Sequence, residues 1–218
     1  MTISLENSPR TDEIIYPSED GEPLAESYDH VQVIATTLDV LSQYLSGQQA
    51  TVLANQFMYY AQGFPKLRVA PDVMVIFNVT PGGRDNYKIW EEGEVPAVIF
   101  EMTSQSTQDQ DKFIKKSLYE QLGVTEYWLF DPNGEWIEGH LRGYRLRNEQ
   151  YELITDQISQ PLGLRLVVEN KRLTFYRQDN GEKLLISTEL RDAWLAEKQR
   201  ADRLAEKLRS LGIDPDLE

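Results

Sequence analysis

Two short apolar runs constrain this chain more than anything else in it. In "VAPDVMVIF" (residues 69–77) Asp72 stands at the mouth of a β-branched stretch. In "PAVIFEMTSQST" (residues 96–107) Glu101 follows the apolar residues 97–100 without interruption. Apolar runs this short, rich in Val and Ile and bounded by polar turns, have the length and composition of strands covered on both faces. A carboxylate at the end of such a strand is costly unless it is paired or used. Two strands, each with one acid at an end, point to a site.

The rest of the chain supplies a frame for those strands. Residues 1–20 read as a flexible acidic leader, with "YPSEDGEP" as turn chemistry. From Ser27 to Leu45 the apolar residues Val31, Ile34, Leu38, Leu41 and Leu45 fall at three- and four-residue steps, which predicts an amphipathic helix ended by Gly47. "TVLANQFMYYAQ" reads as extended and "NVTPGGRDNYKIWEEGEVP" as a Gly- and Pro-rich loop. The Asp72 strand covers residues 72–78. After the Glu101 strand comes a helix over residues 108–122, with Gly123 just past its end. "EYWLF" is a further buried strand, closed by "DPNG". "YRLRNEQYELI" and "RLVVENKRLTFYRQDNGEKL" alternate and predict antiparallel hairpins.

From about Thr188 the pattern is strongly helical. Leu190, Trp194, Ala201, Leu204, Leu208 and Leu211 fit a heptad seam that Glu197 interrupts. Two outcomes stay open for it: a helix packed on its own domain, or the seam of a dimer. The order strand, strand, helix, strand, hairpins predicts an α/β (α+β) domain over residues 21–187 with a mixed central β-sheet flanked by helices, C-terminal β-hairpins, and a C-terminal helix over residues 188–218.

Charge bears on function. With 22 Lys and Arg against 36 Asp and Glu, the formal net charge is -14. Nucleic-acid affinity is driven largely by basic residues displacing counterions from phosphates. Such a balance argues against a protein that coats DNA, and less strongly against an enzyme that meets it transiently. Zero cysteines exclude a disulfide scaffold, thiolate zinc and a cysteine nucleophile. No secretory signal and no run of roughly 20 apolar residues is visible, so a cytoplasmic, membrane-free protein is expected.

Cations that assist phosphodiester chemistry want hard oxygen ligands, and Mg²⁺ typically takes one or two carboxylates with water and substrate phosphate. Asp72 and Glu101 can supply those carboxylates if their strands are neighbours, with the backbone carbonyl of Met102 as a further oxygen. Lys115 is the candidate cation to orient water and balance developing charge. It shares a helix face with Asp111 and Tyr119 at four-residue steps. Each residue also has a plainer reading. Asp72 can simply begin a strand, and Glu101 can cap a helix or pair with a lysine. Asp111 and Lys115 can form an ordinary i,i+4 pair, Tyr119 can be packing, and Ser104 and Thr107 can be helix caps. His30 can be structural, and Glu22 and Glu26 can lie on a solvated face.

"GEPLAESYDH", "VAPDVMVIF", "VIFEMTSQSTQDQDKFIKKSLYEQLGVTEYWLFDP" and the "ADRLAEKLRSLGIDPD" tail together resemble a large bacterial family of restriction-endonuclease-like proteins, expanded in cyanobacteria. These Uma-type endonucleases belong to the PD-(D/E)xK nuclease superfamily. The likeness covers roughly residues 12–215. It implies a restriction-endonuclease-like core with Asp72 and Glu101 as metal ligands for Mg²⁺ or Mn²⁺. It further implies Glu22 as an accessory acid, and His30 at a position where such proteins often carry histidine. The superfamily's usual lysine would stand at position 103, which here is Thr103. The family resemblance implies that the cation comes from the following helix instead, as Lys115, with Lys112 and Lys116 as alternates.

The leading expectation is a Mg²⁺-dependent endonuclease acting on nucleic acid, DNA in the first place, as a homodimer. Its rival is a catalytically weak or inactive module that binds or dimerises on a nuclease fold, motivated by Thr103, the negative charge and the helical tail. A hydrolase of small phosphorylated substrates is a third reading. "GYRLR", with Arg142, Arg145 and Arg147, offers the best phosphate contacts, although a hairpin with charges facing water explains it equally well.

Overall fold

The computed structural model describes residues 14–21, 27–104 and 107–214. In chain order its elements begin with α1 (Tyr28–Tyr44), β1 (Ala50–Leu53), β2 (Met58–Tyr59), β3 (Arg68–Val69), β4 (Val73–Phe77), β5 (Tyr87–Lys88), α2 (Ile89–Glu92) and β6 (Val98–Met102). A π-helical turn (Gln110–Lys115) runs directly into α3 (Lys116–Leu122). Then come β7 (Glu126–Phe130), β8 (Leu141–Arg147), β9 (Gln150–Ile154), β10 (Ile158–Ser159), β11 (Leu164–Glu169), β12 (Arg172–Arg177) and α4 (Ser187–Ser210).

The main sheet has the order β1-β4-β6-β7-β8-β9. Only β6 and β7 pair in parallel, joined by the crossover through the π-helical turn and α3; the other neighbours are antiparallel. This mixed α+β architecture is the expected fold class. The three central strands are buried almost end to end. That burial on both faces is why their sequences read as continuous apolar runs and not as alternation.

Side-chain alternation divides the core in two. On one face Val73, Val75, Val98, Phe100, Trp128 and Phe130 pack beneath α1 and the small sheet β10-β11-β12. Phe100 and Phe175 meet edge to face at 5.9 Å. On the other face Met74, Ile76, Ile99, Tyr127 and Leu129 pack beneath α3 and the small sheet β3-β2-β5. Trp128 lies so close over β8 that a Cβ at Gly143 would sit 2.4 Å from its ring, so only glycine fits there.

Several local expectations shift. The buried stripe of α1 is Val33, Ile34, Thr37, Val40 and Leu41, whereas Val31 is exposed and Leu38 half-buried. The helix starts on Ser27, whose hydroxyl accepts from His30 N at 3.3 Å. The loop predicted over residues 78–96 contains β5 and α2, and Arg84 clamps it through Glu92 at 2.8 Å. Both hairpins form on two-residue turns with positive φ, at Asn148–Glu149 and Asn170–Lys171, a backbone twist that suits tight hairpins. In the first, β8 also pairs with β7, so that hairpin extends the main sheet.

The leader's first 13 residues lie outside the described residues. Its end is anchored further upstream than expected: Tyr59 donates to Pro17 O at 2.6 Å, and Tyr16 meets Tyr59 edge to face. At the other end, α4 has no buried residue. No described helix is long and apolar enough to cross a membrane.

Candidate active site

The site begins with strand register. Val73 of β4 faces Phe100 of β6. Immediately before that pair in the chain stands Asp72, and immediately after it Glu101, so the two acids come from adjoining positions of neighbouring strands. Glu101 lies inside β6 and not at its end. The backbone N–H of Met102, whose carbonyl the sequence offers as an extra oxygen, donates to Asp72 Oδ2 at 2.6 Å. His30, at the start of α1, brings Nε2 to 3.6 Å from the same Asp72 oxygen.

The π-helical turn completes the group. At its start Ser104 N donates to Thr107 Oγ1 at 3.1 Å, and Gln108 N donates to Ser104 O at 3.0 Å. The turn presents Asp111 and Lys115 inward, and Lys115 Nζ lies 2.8 Å from Glu101 Oε2 and 3.1 Å from Asp111 Oδ1. One turn on, Tyr119 OH donates to Glu101 Oε1 at 2.7 Å. Tyr127 OH donates to the backbone carbonyl of Asp111 at 3.0 Å, which ties the turn to β7. Asp111 and Lys115 do form the i,i+4 pair of the plainer reading, with Asp111 buried and Lys115 also joined to Glu101, and Tyr119 both packs in the core and donates to Glu101. Inserted π turns recur where a helix must aim side chains at a site.

Electrostatically the cluster is short of positive charge. Asp72, Glu101 and Asp111 are all buried around one lysine. Burial pushes the Glu101 carboxyl up to about 8; Lys115 pulls it down, while Asp72 and Asp111 push it further up. Burial disfavours the Lys115 ammonium, but Glu101, Asp111 and Asp72 together hold its pKa above the ordinary lysine value. The lysine therefore stays charged and the surplus acidity falls on Glu101. Burial, with the neighbouring Glu101 charge, raises Tyr119 well above the usual phenol value and keeps it a hydrogen-bond donor.

The donor chemistry fits a hard divalent cation. Two carboxylates suit Mg²⁺ or Mn²⁺, which fill their remaining positions with water and phosphate oxygens. No group of three or more His, Asp or Glu suited to hold a metal occurs among the described residues, so a cage built wholly from protein does not fit. Thr103 Oγ1 is buried with no hydrogen-bond partner among the described residues. It stands two residues beyond Glu101, on the same face of the sheet by alternation. An orphaned hydroxyl there leaves an acceptor and donor for water or ligand, a feature the sequence shows only through strand parity.

The three arginines of "GYRLR" separate. Glu101 pairs with Leu129, and Leu129 with Arg142, so Arg142 lies two strands from Glu101 in one row across the sheet. Arg145 is a correction to the phosphate-contact expectation. It is buried on the opposite face, with Nε 2.8 Å from Glu126 Oε1 and a terminal nitrogen 2.6 Å from Ile158 O. Arg147 shares that opposite face by alternation and is exposed beside Glu152 at 3.7 Å. Glu22 and Glu26 lie outside the described residues.

Comparisons with known proteins bear on the whole assembly. The crystal structure of a putative nuclease belonging to DUF820 from Anabaena variabilis ATCC 29413 is similar at 18% identity, over 63% of this chain and 72% of that chain, with a TM-score of 0.44. No site assignment rests on so distant a likeness. No curated protein matches the chain. The Uma2 family model, described as "Putative restriction endonuclease", matches residues 5–174. That span holds Asp72, Glu101, Asp111, Lys115, Tyr119 and Arg142, and on this match the chain belongs to the Uma2 family.

Proposed function

We propose that this chain is a divalent-cation-dependent nuclease that hydrolyses phosphodiester bonds of nucleic acid, with Asp72 and Glu101 holding Mg²⁺ or Mn²⁺. The observation that carries the reading is Asp72 accepting from the N–H of Met102, next to Glu101, with Lys115 delivered to Glu101 from the following helix. When bound, the cation supplies Lewis acidity that polarises the scissile phosphate and makes water nucleophilic near neutral pH.

The chain's own groups do the rest. Asp72, just before β4, and Glu101, inside β6, present acceptor oxygens from a rigid pair of strands. Tyr119 and Lys115 each hold one oxygen of Glu101, which fixes the plane of its carboxylate. Lys115, kept protonated, offers positive charge to the phosphate oxygens as negative charge builds on them. It thereby takes the part that a lysine at position 103 would play. Arg142 offers a contact for a phosphate further along the strand.

Supercoiled plasmid, single-stranded DNA and RNA incubated with the protein in Mg²⁺ or Mn²⁺ test this. Cleavage is expected, with a loss of about 100-fold or more in Asp72→Asn and in Glu101→Gln. Equal activity in those variants, or no cleavage of any substrate by the wild type, would overturn it. Isothermal titration of Mn²⁺ into wild type and Glu101→Gln tests the ligand set without a substrate.

We further infer a homodimer through α4. Leu190, Trp194, Leu204, Leu208 and Leu211 are all exposed along this helix, at the seam positions. Arg191, Lys198, Arg200 and Lys207 flank the seam. An antiparallel partner would set these bases against one another. A parallel second copy sets Lys198 and Arg200 opposite Ala193 and Ala205, and so avoids the repulsion.

A further inference from the structure

Phe113 and Ile114 are each 67% exposed, and they occupy the outer surface of the same π-helical turn whose inner surface carries Asp111 and Lys115. The element that brings the ammonium to Glu101 thus displays an aromatic ring to solvent within two residues of it. Lys112 and Lys116 flank the pair. Lys112 Nζ is held by Gln108 Oε1 at 3.2 Å, and Lys116 Nζ lies 4.4 Å from the centre of the Tyr144 ring. Neither lysine is ion-paired among the described residues. In a chain of net charge -14 these are two lysines outside any ion pair among the described residues, beside a buried acidic site.

We propose that Phe113, backed by Ile114, stacks on an unpaired nucleobase of the substrate, while Lys112 and Lys116 hold the adjoining phosphates, so that the preferred substrate is single-stranded. The inference takes its location from the nuclease reading above and deepens it. A phenyl ring gains from a base only when the base's face is free, which a duplex denies it. Two or three cations are also too few to track both strands of a duplex against a strongly acidic body, but they suit a short single-stranded contact. Two exposed apolar side chains are likewise too small an area for a protein partner, whose stable interfaces are far larger.

The test is fluorescence anisotropy of a labelled oligothymidylate and of its duplex with oligoadenylate, with the full-length protein in Ca²⁺ at low ionic strength. The single strand should bind more tightly than the duplex. Phe113→Ala should weaken single-strand binding on the order of 10-fold, Phe113→Trp should restore it, and Phe64→Ala, removing a ring 63% exposed elsewhere, should leave it unchanged. Because Phe113 is exposed, an unchanged thermal midpoint should accompany its replacement. Binding that ignores Phe113, equal affinity for duplex, or an equal loss in Phe64→Ala would overturn the inference. Binding that depends on Phe113 without any cleavage would sustain it while removing the nuclease reading. Cleavage that needs Asp72, with binding indifferent to Phe113, would do the reverse.

Discussion

Lys115 Nζ bridges Glu101 Oε2 at 2.8 Å and Asp111 Oδ1 at 3.1 Å, so a single ammonium joins the core strand β6 to the π-helical turn. Buried pairs of this kind add little beyond a well-packed apolar substitute, but breaking one is severe because it strands the remaining charge.

Lys115→Met should therefore destabilise the metal-free protein by about 3–5 kcal/mol, read from urea denaturation. Mn²⁺ should return part of that loss, because it supplies the missing positive charge; saturation at about 100 times its dissociation constant is worth roughly 2.7 kcal/mol. A variant as stable as wild type in EDTA would contradict the buried bridge.

The pH dependence follows from Glu101, whose carboxyl is raised by burial, with Asp72 and Asp111 adding to it, from 4.5 to about 8. Between those values the folded protein binds more protons than the unfolded chain, so stability falls as pH rises. The contribution is complete below about pH 4.5 and gone above about pH 8. Thermal midpoints in EDTA should decline across that window, and Glu101→Gln should flatten the decline. Mn²⁺ affinity should run the other way and rise with pH, since binding expels the proton.

Arg145 and Arg142 should have opposite phenotypes. Arg145→Met leaves Glu126 buried without its partner, at a cost of about 3–5 kcal/mol in urea denaturation. It should not alter the salt dependence of oligonucleotide binding. Arg142→Gln should leave stability within about 0.5 kcal/mol and reduce the logarithmic salt slope by roughly 0.7 for a single strand.

The exposed helix gives a fourth expectation. Leu204→Asp with Leu208→Asp should convert a dimer to a monomer by light scattering. The unfolding midpoint of the remaining domain should hold, because α4 contributes no buried residue to it.

Much of this was legible in the residues, for identifiable reasons. Strands buried on both faces announce themselves as apolar runs, so β4, β6 and β7 were readable along with the acids at Asp72 and Glu101. Lys115 and its neighbours were readable as a helix face, because four-residue spacing survives in the π turn. The turn itself was not, since its extra residue follows from tertiary demands of the site and not from helix propensity. The stripe of α1 is not fixed by periodicity, because Val31 fits it as well as Val33 does and only the packed sheet chooses between them. The burial of Arg145 is not legible, because its partner Glu126 is distant in sequence and sits within an apolar strand. The small strands β2, β3 and β5 are two residues each, too short for any period to show.

Glu101, Leu129 and Arg142 form a line that crosses β6, β7 and β8 at right angles to their direction, with Asp72 just before β4 at its near end. The hydrogen-bonded ladder is consequently the ruler that spaces the chemistry. Inserting or deleting one residue ahead of Glu101 in β6 would turn that acid toward α1 and the greasy interior, because successive side chains alternate between faces. Length variation in this family should therefore collect in the loops, and the strands that carry the row should keep their frame.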